Sequence, residues 1–136
     1  MKGVLTVSMV HDNIIKSYQV DFENKILALK TEYWSGDIHE KTDVIFTGYL
    51  THIFHNVLEH SVIFDIEEYA LNFFLEQEQE LLEKQKYYGF PIIYKTKEEL
   101  IDFFQSNGYK VFSIDSSWGL YGYVIAKKID IQVEKL

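Results

Sequence analysis

The sequence predicts an α+β fold: an antiparallel sheet of about five to seven strands, with one long and one short helix packed on one face. Three observations predict it. Runs of period-two alternation occupy both ends of the chain. Two helix-forming stretches sit together between them. Ten Phe, ten Tyr and two Trp in 136 residues supply a large aromatic core. Strands grouped around helices, rather than alternating with them, indicate an antiparallel sheet with helices on one side. The length predicts one domain, residues 1–136.

Residues 4–10 read as a strand without clean alternation, and His11-Asp12-Asn13 as a polar turn. Residues 14–21 alternate, with Ile14, Tyr18 and Val20 on one side. Residues 26–34 alternate again, with Leu27, Leu29 and Tyr33 on one face. Asn24 between them suits a left-handed turn position, so the two runs predict a hairpin. Residues 35–42 are polar and read as a loop. Residues 44–50 read as a third strand presenting Val44, Phe46 and Leu50.

Residues 51–60 read equally as helix or strand, and 61–64 as strand. Asp65 and Glu68 have capping-box spacing. With the stripe Ile66, Tyr69, Ala70, Phe73 and Phe74 they predict the start of a long helix running to Lys86. Gly89 and Pro91 end it, and 92–94 reads as a short edge strand. Thr96 and Glu99 form a second capping box. Leu100, Ile101, Phe103 and Phe104 give the short helix its apolar face, and Asn107-Gly108 stops it. Residues 110–115 read as a strand, 116–119 as a turn, and 121–133 as one long strand with apolar odd positions except Lys127.

The formal charge is −8 and Arg is absent. An acidic surface repels phosphate backbones, and the residue best suited to bidentate reading of bases is missing, so nucleic acid is disfavoured as a partner. No apolar run is long enough to span a membrane, and residues 1–10 lack the apolar core of a signal peptide. Cysteine is also absent, which fits a reducing compartment. Together these predict a cytoplasmic protein. No phosphate loop, dinucleotide fingerprint, EF-hand loop or G-x-S-x-G elbow is present, so no catalytic residue and no cofactor is assigned.

Three constellations remain. On a helix, His52, His55 and Glu59 would share a face and could hold zinc with an open position. On a strand, His52 and His55 point to opposite faces and that site vanishes. The 115–121 segment carries Asp115, Trp118 and Tyr121. It reads either as a plain hairpin turn or as aromatic anchors presented to a partner. The acidic run that includes Glu76, Glu78 and Glu80 reads as a solvated helix face or as a patch steering a basic partner.

Stretches 14–33 (IIKSYQVDFENKILALKTEY), 44–65 (VIFTGYLTHIFHNVLEHSVIFD) with the following Ile66-Glu67-Glu68-Tyr69, and 116–126 (SSWGLYGYVIA) carry a resemblance. Together they resemble small cytosolic proteins of Bacillus and related Firmicutes, of the YxiG-like kind. Several of those resemble products of genes beside large contact-dependent toxins, which implies an immunity protein. The resemblance implies no active-site residues.

The sequence therefore predicts a non-enzymatic interaction protein that binds a protein partner, basic in character, through Glu76, Glu78, Glu80, Asp115, Trp118 and Tyr121. The alternatives are a small metal-dependent enzyme or ligand-binding protein using His52, His55 and Glu59, and a binder of a small apolar ligand between helix and sheet. The oligomeric state is left open.

Overall fold

The computed structural model describes the backbone of residues 3–7 and all of residues 10–136. Among the described residues nine strands, more than the five to seven predicted, form one antiparallel sheet: β1 (Gly3–Val7), β2 (Ile14–Asp21), β3 (Ile26–Ser35), β4 (Ile38–Thr47), β5 (Thr51–His55), β6 (Ser61–Tyr69), β7 (Lys110–Trp118), β8 (Tyr121–Ala126) and β9 (Lys128–Lys135). The order is β5-β8-β7-β6-β2-β3-β4-β9, with β1 on β6. The predicted first strand, 4–10, is found from Gly3 to Val7; Val10 is not strand, and Ser8 and Met9 lie outside the described residues.

The sheet folds back on itself. Leu27, Leu29, Val44 and Phe46 from one half pack against Ile63, Ile66, Phe112, Ile114 and Val124 from the other. Phe46 and Phe112 meet with ring centroids 5.4 Å apart. Helices α1 (Leu71–Gln77), α2 (Gln79–Gln85) and α3 (Lys97–Asn107) cover the outer face of the β6-β7-β8 half. There Phe74, Leu75, Leu82, Leu100 and Phe104 bury Val111 and Ile125. Because β7 and β8 are covered on both faces, consecutive residues are buried in each, Val111 to Ile114 in β7 and Val124 to Ala126 in β8.

The β2–β3 hairpin forms as predicted, pairing Tyr18 with Leu29 and Val20 with Leu27. A bulge between Ile15 and Ser17 switches the parity of the strand, so Ile15 rather than Ile14 is buried. The left-handed residue of the turn is Lys25, not Asn24, whose amide instead bonds the Asp21 carboxylate. Residues 38–42 are strand rather than loop, because Gly36-Asp37 makes a two-residue turn with Gly36 at φ +57°. Their polarity has a local reason. Thr42 faces inward, where its carbonyl accepts from Thr31 Oγ1 at 2.8 Å, and Thr31 in turn accepts from the buried Asn13 amide at 3.0 Å.

Four further expectations are corrected. Residues 65–69 belong to β6, so the first helix opens only at Leu71, without a side-chain cap, and is broken at Glu78 into two helices of seven residues. A bulge at Phe64 keeps Ile63 and Ile66 on the inner face, whereas Tyr69 is buried on the opposite face under the helices, so two-sided burial of Ile66 and Tyr69 imitates a helical stripe. β4 ends at Thr47. Gly48, at φ +64° and packed on the Lys127 side chain, turns the chain to the other half, and Leu50 joins the helix side. Residues 92–94 pair with no strand. The predicted strand 121–133 is two strands parted at Lys127. β8 pairs with β5 and β7, β9 with β4.

Thr96 caps α3 as the sequence predicts, its hydroxyl accepting from Glu99 N at 3.2 Å, and Gly108 ends it in the left-handed conformation. No helix among the described residues is long and apolar enough to cross a membrane.

Candidate functional site

Residues 51–55 are a strand, and that decides the fate of the histidines. β5 pairs with β8 in the register Thr51↔Ile125, His52↔Val124, Ile53↔Tyr123, Phe54↔Gly122, His55↔Tyr121. Directly paired residues share a face of the sheet. His52 and Phe54 therefore share the face of Val124, toward the core between the two halves. Ile53 and His55 share the face of Tyr123 and Ile125, toward the helices.

His52 is half-buried and shares a 2.6 Å hydrogen bond between Nδ1 and the Tyr49 hydroxyl. Its ring lies 4.6 Å from that of Phe54 and 6.1 Å from that of Tyr18. Burial holds its pKa below the ordinary histidine value. His55 is exposed on the opposite face, and Glu59 stands on the exposed 56–60 turn. The zinc triad drawn from helical spacing is thus not assembled. Among the described residues no three His, Asp or Glu side chains are grouped to hold a metal ion.

The interaction residues divide differently. Glu78 lies at the break between α1 and α2, Asp115 near the end of β7, and Tyr121 at the start of β8. All three line one small cavity of about 70 Å³, together with His55, Ser113 and Tyr123. The His55 and Tyr121 rings lie with centroids 5.1 Å apart, tilted by 30°. Ser113 Oγ donates to Asp115 Oδ1 at 3.0 Å. Asp65, the β6 partner of Asp115, does not line the cavity but places a third carboxyl on the strand next to it. Burial raises the Asp65 pKa and the Asp115 charge raises it further, against a hydrogen bond from the Ile66 amide. The Tyr123 hydroxyl is pushed well above its ordinary value, first by burial and then by Glu78, Tyr69 and Asp115. Among the described residues, none of these three carboxylates has a lysine or histidine within salt-bridge distance. The cavity is a region of negative potential walled by phenol and imidazole rings.

Trp118 does not line the cavity; it is 65 % exposed at the end of β7, paired with Val62. Ser61 ties this end of the molecule together. Its hydroxyl donates to the Leu58 carbonyl at 2.7 Å and accepts from Leu120 N at 2.9 Å. The 56–60 turn and the 119–120 turn are thereby held side by side. Val57, Leu58, Trp118 and Tyr121 remain exposed there. Glu76 and Glu80 are not brought to this end. Glu76 borders a separate cavity of about 190 Å³ with Lys86, Lys95 and Lys97, and Glu80 pairs with Lys84 at 3.5 Å.

Sequence reading did not find Ser113 or Tyr123 as members of the site, nor Asp65 beside it. No local motif marks them, because the cavity is made by cross-strand register rather than by proximity along the chain. Comparison with known proteins finds no matching family model, no matching curated protein and no matching solved structure.

Proposed function

We propose that the chain is a non-enzymatic interaction protein that takes a basic segment of a protein partner at the end formed by His55, Glu78, Asp115, Trp118 and Tyr121. One observation carries the reading. Carboxylates without a neighbouring cation border the same cavity as an exposed tyrosine, and an exposed tryptophan precedes that tyrosine by three residues across the turn. A lysine or arginine entering the cavity gains charge-assisted hydrogen bonds from Glu78 and Asp115, and a cation–π contact from Tyr121. Trp118 and Leu58 supply apolar area around it, the composition of a binding hot spot. The net charge of −8 favours encounter with a basic partner. Glu76 and Glu80 act at a distance in this scheme, by steering. The resemblance to YxiG-like proteins supports an immunity role in the cytoplasm, with a basic toxin domain as the neutralised partner.

Affinity capture from a Firmicute lysate, followed by binding with purified components, tests this reading. The expected outcome is a basic protein retained by the native chain and lost from the Glu78→Gln/Asp115→Asn double variant. Equal retention by that variant, correctly folded, would remove the cavity from the interaction.

A further inference from the structure

The strand that carries His55 has a second property: it is an edge. β5 ends the strand order and pairs only with β8. Among the described residues, no backbone hydrogen bond satisfies its other side. Edges of this kind are usually protected by charge, proline or a bulge. The opposite edge, β9, follows that rule with Lys128, Asp130, Glu134 and Lys135. β5 reads Thr-His-Ile-Phe-His, without a lysine, carboxylate or proline, and its register with β8 is unbroken.

The free edge is also recessed. It lies in a groove of about 460 Å³, with Tyr18 on one side and Leu81, Gln85 and Phe90 on the other. No charged residue lines this groove. His55 borders both the groove and the acidic cavity that holds Glu78 and Asp115.

From this placement we infer that the β5 edge binds an extended segment of the basic partner as an added strand, which threads the groove and presents a cationic side chain, past His55, to the mouth of the acidic cavity. The inference rests on the interaction reading above and names the geometry of the partner. A recess between side chains admits one strand but obstructs the edge of a second sheet. Main-chain pairing supplies affinity independent of sequence, while alternate side chains of the added strand fall toward Phe54 and toward the helices. A strand beside β5 lies two strand spacings, roughly 10 Å, from β8 and three, roughly 14 Å, from β7, so a long basic side chain bending over His55 reaches the mouth of the cavity at Tyr121 and not Asp115 itself.

The test uses the whole ¹⁵N-labelled chain and a blocked octapeptide of alternating lysine and valine as probe. Two controls accompany it: the same peptide N-methylated at alternate backbone nitrogens, in both registers, and a copy with glutamate for lysine. The expected result is amide exchange slowed by about tenfold or more within β5 at saturation, with β9 unchanged. The N-methylated peptides should give no such protection. If the glutamate copy protects β5 equally, strand addition stands and the basic-partner reading fails. Resonance shifts at Glu78, Asp115 and Tyr121 without β5 protection would overturn strand addition and leave the basic-partner reading intact. Failure of every peptide to bind, or concentration-dependent β5 protection with no peptide present, would overturn the inference.

Discussion

His55 and Tyr121 stand directly opposite each other on β5 and β8, ring centroids 5.1 Å apart, at the mouth of the cavity bordered by Glu78 and Asp115. Neither ring is buried. The pair therefore contributes modestly to the core and strongly to the shape of the surface. It holds the phenol where a cation seated between the carboxylates would meet it.

Stability and binding should separate at this end of the molecule. Trp118→Ala is expected to change folding stability by no more than about 0.5 kcal/mol, as for other exposed positions. It should nonetheless raise the dissociation rate of the captured partner, since exposed aromatic anchors act mainly through residence time. Chemical denaturation and surface kinetics on the same preparation check both halves.

The two-sided burial of the β7–β8 ribbon makes core costs predictable. Phe112 and Ile125 are fully buried on opposite faces, Phe112 between the sheet halves and Ile125 under the helices. Replacing either by Ala should cost about 2–5 kcal/mol. Phe74→Ala should cost more than Phe73→Ala, because Phe74 is fully enclosed and Phe73 only partly. Urea unfolding with a common slope would rank them.

Gly122 is a steric test of the β5–β8 ladder. It adopts φ +151°, and a Cβ there would collide with the Ile53 carbonyl. Gly36, at φ +57°, has open space around it. Gly122→Ala should therefore destabilise well beyond the roughly 1 kcal/mol of backbone strain expected at Gly36→Ala. Equal losses would show that β5 gives way without cost.

Acid should weaken the fold through His52. Its folded pKa lies below 6.5 because of burial, so the unfolded chain takes up the proton first. Its contribution is complete above pH 6.5 and declines as the pH falls from there toward the folded value. Asp65 has the opposite sign. Its raised pKa gives a contribution complete below pH 3.8 and lost as the pH rises through the folded value, a separate window. Comparing unfolding midpoints at about pH 7.5 and about pH 5.5, His52→Asn should flatten the decline seen in the native chain.

The parts of this fold with one wet face were legible in the sequence. The β2–β3 hairpin shows plain alternation, and α3 carries its capping box and Gly108 stop. What misled was geometry that leaves no local trace. Ile66 and Tyr69, buried on opposite faces of β6, imitated the three-residue spacing of a helix. At Lys127 the chain passes from one half of the sheet to the other, so Ile125 faces the helices while Ile129, of the same parity, faces the inner core. The candidate site was legible only as residue types. Asp115 and Tyr121 are six apart, but His55 and Glu78 reach them through the register of β5 and the break between α1 and α2.

The central claim is electrostatic and local, and stopped-flow association with the captured partner tests it most directly. The association rate should fall with salt, as screening contracts from about 10 Å at 0.1 M to about 3 Å at 1 M. Glu76→Gln/Glu80→Gln should lower that rate alone. Glu78→Gln/Asp115→Asn should also raise the dissociation rate, weakening affinity by about tenfold or more, the worth of roughly 1.4 kcal/mol. A salt-independent association rate, or a Glu78→Gln/Asp115→Asn variant that dissociates as slowly as the native chain, would contradict it.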